Sequence, residues 1–360
     1  MSIFVDIHVL QTVPPSCINR DDTGSPKTAV YGGVIRARVS SQAWKHAMRQ
    51  DFLNMLPMEM IGNRTKRIVP MVMREIEKTA SEQGKTVDDP EKLARSVLSA
   101  AGLKLKEDIN TGTDALFFMS AGQAKALAEL AVNDPEHAGN KKLALEALRG
   151  NPSIDMALFG RMVADDQSLN YDAAAQVAHA ISTHAVHTEY DYFTAVDDLS
   201  KDESTGAGHI GTNEFASSTL YRYATLNVSE LAKHVENDVA AATTAFVKAF
   251  IHSMPTGKQN TFANRTLPDM VYVTVRKDQP VNLCGAFERA VRSDGDGFAE
   301  MSVIKLRKYA EQVYKDYASA PDMAFVIGTE MLDAKRVTEP EMMKALVKLI
   351  EGFDMTGGGK

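Results

Sequence analysis

The sequence predicts an α+β fold: a ferredoxin-like sheet, the arrangement also of the RRM fold, interrupted by a large helical insertion and a β-hairpin. Three observations predict it. Four strand-like runs, Ile3–Leu10, Val177–Val186, Glu214–Val228 and Asp269–Arg276, are interleaved with two helical stretches in the order strand, helix, strand, strand, helix, strand. Between the first helix and the second strand, residues 57–171 become Ala-rich with helical periodicity. Between the second and third strands lies a polar excursion, residues 189–213, that reads as a hairpin.

The elements follow in order. IFVDIHVL (Ile3–Leu10) is a buried strand, and a loop rich in Pro, Asp and Gly runs from it to Gly32-Gly33. VIRARV alternates, with Val34, Arg36 and Arg38 on one face and Ile35, Ala37 and Val39 on the other. SSQAWKHAMRQDFLNML is a helix with Ser40 or Ser41 as N-cap. Trp44, Ala47, Met48, Phe52, Met55 and Leu56 form its apolar stripe, and Gln42, Lys45 and Arg49 its opposite face. In the insertion, Ser120 opens AGQAKALAELAV, and Asn140 opens KKLALEALR, which Gly150 stops. IDMALFGRM closes it as a strand-like run delivering Arg161 and Met162 into a loop. SELAKHVENDVAAATTAFVKAFIHSM reads as one long helix capped by Ser229, and helices from Asn282, Ser302 and Thr338 complete the chain.

Composition bounds the function. With 44% hydrophobic and 24% charged residues the chain has an ordinary soluble globular make-up. Its start lacks a basic n-region, and no apolar run approaches the ~20 residues of a membrane span. Cys17 and Cys284 are the only cysteines, so neither a disulfide framework nor a thiolate metal cage is expected. The expectation is a cytoplasmic, reduced protein with no membrane association. Net charge is -7, yet residues 20–49 carry six basic against two acidic residues, a net of +4 that leaves -11 elsewhere. Positive charge concentrated on an acidic chain points to a localised anion site.

GAGHIG (Gly206–Gly211) matches the letters of a dinucleotide-binding fingerprint, with Glu230 roughly 20 residues on. The fingerprint needs a buried strand before the glycines and a helix directly after. Here acidic DDLSKDEST precedes and strand-like TNEFASSTLYRYA follows, so no nicotinamide or flavin site is implied. His179, His184 and His187 lie on a strand whose side chains alternate, so they read as packed histidines rather than a metal site. Asp21-Asp22 is either an Mg²⁺ pair or, more simply, a solvated acid beside Arg20. The Gln42, Lys45 and Arg49 face is either solvated or a phosphate grip; the capped helix start, Ser40, Ser41, Lys27, Arg36 and Arg38 nearby favour the grip. Met162, Tyr192 and Phe193 read as core, with base stacking the alternative.

PSCINRDDTGSPKTAVYGGVIRARVSSQAWKHAMR resembles the signature of the CasC family, the backbone subunits of type I-E CRISPR Cascade complexes in the RAMP superfamily. IDMALFGRM, AHAISTHAV, YFTAVDDL, HIGTNEFASSTLYRYA and LPDM support it in family order from Pro15 to Met270. The resemblance implies a hand: an RRM-like palm (1–56, 172–188 and 214–360), helical fingers (57–171) and a thumb hairpin (189–213). It implies a non-catalytic RNA-binding subunit of a ribonucleoprotein of bacterial antiviral immunity, without metal or other cofactor. Copies would polymerise along crRNA and present it to the target DNA strand, alongside CasA, CasB, CasD and CasE. Arg20, Lys27, Arg38, Ser40, Gln42, Lys45, Arg49 and Arg161 would hold the RNA backbone. Met162, Tyr192, Phe193 and Thr194 would flank a flipped nucleotide, and His209 would sit on the thumb over the RNA. His46 stands where a second basic residue would follow Lys45. The alternatives are a metal-dependent RNA-cleaving relative using Asp21 and Asp22, a processing ribonuclease with His46 or His209 as base, and a helical adaptor.

Overall fold

The structure, a computed structural model, describes residues 2–353 apart from 109, 111, 164, 165, 196–208, 236 and 294. The chain opens with β1 (Phe4–Ser16), β2 (Thr28–Tyr31), β3 (Val34–Val39) and α1 (Ser41–Met55). A mostly helical segment follows: β4 (Asn63–Thr65), α2 (Ile68–Glu82), α3 (Pro90–Ala100), β5 (Phe117–Met119), α4 (Ala121–Asn133), α5 (Lys141–Arg149) and α6 (Ile154–Phe159). The chain then returns through β6 (Ala175–Val177), β7 (Ala180–Ser182), β8 (Glu189–Ala195), β9 (His209–Asn227), α7 (Val228–Val235), α8 (Val239–His252), α9 (Gln259–Phe262) and β10 (Met270–Arg276). It ends with α10 (Ala299–Asp316), β11 (Met323–Ile327), β12 (Lys335–Arg336) and α11 (Glu339–Glu351).

The main sheet runs β12-β11-β10-β1-β9-β7-β3-β2, with β6 and β8 also pairing β9. Its antiparallel centre, β10-β1-β9-β7, places the fourth, first, third and second strands of the repeat side by side, which is the ferredoxin-like and RRM order. Val5–Leu10 is buried throughout because both faces of β1 are covered. Val5, Ile7 and Val9 share a core with Trp44 and Met48 of α1, Phe246 and Phe250 of α8 and Leu346 of α11. Leu10, Tyr221, Tyr223 and Tyr272 meet Leu306 and Ala310 of α10 on the other face. Residues between Ile68 and Leu169 form an apolar cluster of their own. Among the described residues no helix is long and apolar enough to cross a membrane.

The caps read from sequence hold where a side chain has one clear task. Ser120 with Gln123 and Thr338 with Glu341 form capping boxes, and Asn140 accepts the Lys142 and Leu143 N–H groups. Four expectations need correction. IDMALF is the helix α6, not a strand; all six residues are buried, so hydrophobicity carries no period to read. It stops at Gly160, whose φ of +76° suits glycine. Val177–Val186 is split between β6 and β7, both laid on the long β9. The long helix is two, α7 and α8, with Asn227 rather than Ser229 accepting the Glu230 N–H at 3.0 Å; Ser229 Oγ takes the Ile3 N–H at 3.1 Å. Finally, the helix expected from Ser302 starts at Ala299, with Ser302 buried against Phe298 O and Thr183 Oγ1, and Asn282 opens only a short 3₁₀ turn.

Candidate nucleic-acid interface

The first loop folds back so that the Lys27 N–H reaches Asn19 O (2.9 Å) and the Arg38 N–H reaches Lys27 O (2.9 Å). Lys27 and Arg38 thereby become neighbours across the β2–β3 hairpin. Arg38 Nε donates to Thr28 O at 3.0 Å, and its Nη1 lies 3.4 Å from His179 Nδ1. Burial, then Arg38 and Lys27, hold the His179 pKa below the ordinary value. Asn19 also ties the loop to α1, its Oδ1 accepting the Ser40 N–H at 2.8 Å. Ser40 is the N-cap, its Oγ accepting the Ala43 N–H at 3.3 Å, so the hydroxyl first serves the helix. Gln42 is exposed one turn on. Lys45 is half-buried with its ammonium 5.8 Å from the Phe159 ring; burial and then Arg64 lower its pKa. Arg20 is exposed where the loop closes on Pro26. None of Arg20, Lys27, Arg38 and Lys45 forms an ion pair with a carboxylate among the described residues.

Two expected members are committed elsewhere. Arg49 turns inward: Nε meets Asp155 Oδ2 at 2.7 Å, Nη2 donates to Gly62 O at 3.0 Å, and the guanidinium lies over Phe118. Arg161 is buried. It donates to Leu169 O (2.9 Å), Phe118 O (3.0 Å), Gln123 Oε1 (3.1 Å) and Leu148 O (3.3 Å), and burial pushes its pKa down to about 10. The Arg161 guanidinium, expected on an RNA backbone, thus lies inside, where it joins β5, Gln123 of α4, the end of α5 and Leu169. Arg161→Met is expected to cost about 3 kcal/mol by orphaning these acceptors. Urea unfolding checks this. A loss below about 1 kcal/mol would show that these bonds carry little of the fold.

Asp21 Oδ1 accepts the N–H groups of Thr23 (2.9 Å) and Ser25 (3.0 Å) and the Thr23 hydroxyl (2.7 Å). These bonds hold the carboxyl below the usual carboxylate range, the Thr23 hydroxyl first, and give the residue a local turn-forming task. No group of three or more His, Cys, Asp or Glu able to hold a metal occurs among the described residues. His184 stacks on Phe298 at 3.6 Å, accepts the Thr219 N–H at Nε2 and uses Nδ1 on Ala185 O, a pattern that fits the neutral ring.

On either side of residues 196–208, which lie outside the described residues, β8 and the start of β9 form an antiparallel ladder. β8 pairs β9 with Tyr190 opposite Glu214, Tyr192 opposite Thr212 and Phe193 opposite Gly211. Tyr190, Tyr192 and Thr194 share one face, and Asp191 and Phe193 the other. Tyr190 is 67% and Tyr192 63% exposed, so Tyr192 is not core. Phe193, 38% exposed, lies over its cross-strand partner: a Cβ added at Gly211 would sit 2.3 Å from Phe193 Cζ. The last glycine of GAGHIG thus clears space for an aromatic ring. His209 opens β9, but its side chain and residues 206–208 lie outside the described residues. Met162, 88% exposed, lines a pocket of about 360 Å³ with Arg64, Leu116, Phe117 and Phe118.

The sequence profile of the CT1975-like protein family matches residues 5–351, nearly the whole chain. The chain belongs to the CT1975-like family. Among solved structures, this CT1975-like chain is similar at 33% identity to a chain of a CRISPR RNA-guided surveillance complex, pre-nicking. The match covers 96% of this chain and 100% of that one, with a TM-score of 0.81. A second chain, from a CRISPR RNA-guided surveillance complex, is 29% identical over 96% and 99% of the two chains, with a TM-score of 0.62. No curated protein matches the chain. Two exposed side chains of this CT1975-like protein escaped the sequence reading. Tyr190 carried a signal, an aromatic two residues before Tyr192 on a strand. Arg64 carried little, since it lies outside the basic segment and only the fold brings it to Lys45.

Proposed function

We propose that this CT1975-like protein is a non-catalytic backbone subunit of a type I-E Cascade-like surveillance complex. In this reading it polymerises along crRNA and holds it for pairing with a target DNA strand, beside CasA, CasB, CasD and CasE. The observation that carries the reading is the run of Arg20, Lys27, Arg38 and Lys45, unpaired by carboxylates, beside the capped start of α1. Cations and helix N–H groups suit a phosphate chain, and they read shape and charge rather than bases. Base pairing then supplies sequence specificity, as in other RNA-guided systems. Residues 57–171 act as fingers and 189–213 as thumb, with Met162, Tyr192, Phe193 and Thr194 beside a displaced nucleotide. The large similarity to chains of RNA-guided complexes supports the reading.

The test is purification with and without crRNA. Protein and RNA are expected to co-elute as one long particle, with the RNA intact after incubation in Mg²⁺ or Mn²⁺. Lys45→Ala should weaken unrelated RNAs alike and lower the salt slope by roughly 0.7. RNA cleavage abolished by Asp22→Ala would replace this reading with a metal-dependent ribonuclease; no co-eluting RNA would leave a protein adaptor.

A further inference from the structure

Arginine donors near the proposed RNA face are mostly committed inside the protein. Arg36 donates to Tyr31, Ser182, Phe287 and Glu288 carbonyls, while Arg49 and Arg161 are held as described. Arg64 differs. It sits in β4 directly opposite Phe118 of β5, is exposed, and its guanidinium lies 4.8 Å from the Phe118 ring centroid. The ring takes up the face of the guanidinium and leaves its N–H edge unused. No acceptor or carboxylate among the described residues engages that edge. Arg64 stands close enough to Lys45 for its charge to lower the Lys45 pKa; burial and then Arg49 lower that of Arg64, while the Asp155 carboxylate raises it. Both Asp155 oxygens are taken up by Arg49 and the Gly62 N–H, so a further anion at the exposed edge would relieve the repulsion between Arg64 and Lys45. Arg64 also stands at the pocket that carries Met162 and Leu116.

We infer that Arg64, rather than Arg49, makes the next phosphate contact of bound RNA after Lys45, carrying the backbone toward Met162. The inference rests on the RNA-binding reading above. In it, the Arg49–Asp155 pair is a positioning device: Asp155 Oδ1 accepts the Gly62 N–H at 2.8 Å and so fixes the entry to β4 that carries Arg64. A planar guanidinium matches a phosphate bidentately, whereas Lys45 acts as a point charge.

The test titrates the full-length protein onto a labelled, unstructured single-stranded RNA across a salt series. Arg64→Gln is expected to raise Kd about tenfold and to lower the salt slope by about 0.7. Arg64→Lys should recover most of the slope but only part of the affinity, because it restores charge without the fork. Circular dichroism should show both variants folded, since Arg64 is exposed. Wild-type Kd and slope for Arg64→Gln, with Lys45→Ala impaired, would overturn the Arg64 assignment and leave the RNA-binding reading standing. A wild-type protein that binds no RNA would overturn both. A defect confined to capture of a complementary DNA strand by preformed protein–RNA would move Arg64 to the DNA and also overturn the assignment.

Discussion

Asp155→Ala is expected to lower stability by about 3–5 kcal/mol, because it strands a largely buried cation. Asp155 is fully buried on α6 and ties it to two segments distant from it in sequence, those of Arg49 and Gly62. Its Oδ2 accepts from Arg49 of α1 and its Oδ1 from the Gly62 N–H, while Arg49 Nη2 returns to Gly62 O. The Arg49 side chain is only 14% exposed, so water cannot replace the lost carboxylate freely. Asp155→Asn keeps an acceptor and the shape, and should cost less, about 1.5–3 kcal/mol for the charge-assisted part. The double replacement Arg49→Met with Asp155→Leu should cost less than Asp155→Ala alone, since no unpaired charge remains. Urea unfolding of the three variants checks the order. An Asp155→Ala loss below about 1 kcal/mol would sink the clamp, and with it the account of how β4 is positioned.

Much of this fold was legible because its signals are local. The start of β1, through Leu10, reads as a mostly apolar strand despite Asp6 and His8, α1 as a stripe ending at Leu56, and α4, α5 and α11 start at side-chain caps whose bonds the structure shows. The misreadings share one cause: a decision made by distant residues. α6 is buried all round, so its pattern cannot distinguish helix from strand. The break between α7 and α8 and the split of β6 from β7 depend on neighbours that sequence does not announce. The site divides in the same way. Lys27, Arg38, Ser40, Gln42 and Lys45 lie within one short segment, so their gathering follows from chain continuity. Whether an arginine faces solvent or a carbonyl is a tertiary fact; Arg49 found Asp155, Arg161 found the 169 and 118 carbonyls, and Arg64 alone of the three stayed open. Charge counting marks the basic segment but cannot say which of its arginines turn inward.

The combined replacement of Lys27, Arg38 and Lys45 by Gln is expected to reduce RNA affinity by roughly 10²–10³ near physiological salt and to lower the salt slope by about 2. Three phosphate contacts at roughly 0.7 each give that slope, and the loss should be the same for unrelated sequences because no base edge is involved. The fold should survive: none of the three pairs with a carboxylate, and the side-chain bonds lost are two exposed ones of Arg38, Nε to Thr28 O and Nη1 to His179 Nδ1. Filter binding over a salt series, with a thermal melt of the triple variant, reads both quantities. An unchanged slope would show that the patch does not touch phosphate, and a base-selective loss would show that it reads sequence. The net charge of -7 does not oppose this outcome. At physiological ionic strength the screening length is about 8 Å, so acidic residues elsewhere on the surface would be largely invisible to a phosphate bound at these cations. In the proposed reading such a phosphate would meet local groups: the cations, the first N–H groups of α1, and a loop held against the helix by Asn19. Removing the cations while keeping the helix end therefore separates their contribution from that of the backbone donors, which should remain as a weak, nearly salt-insensitive residue of binding.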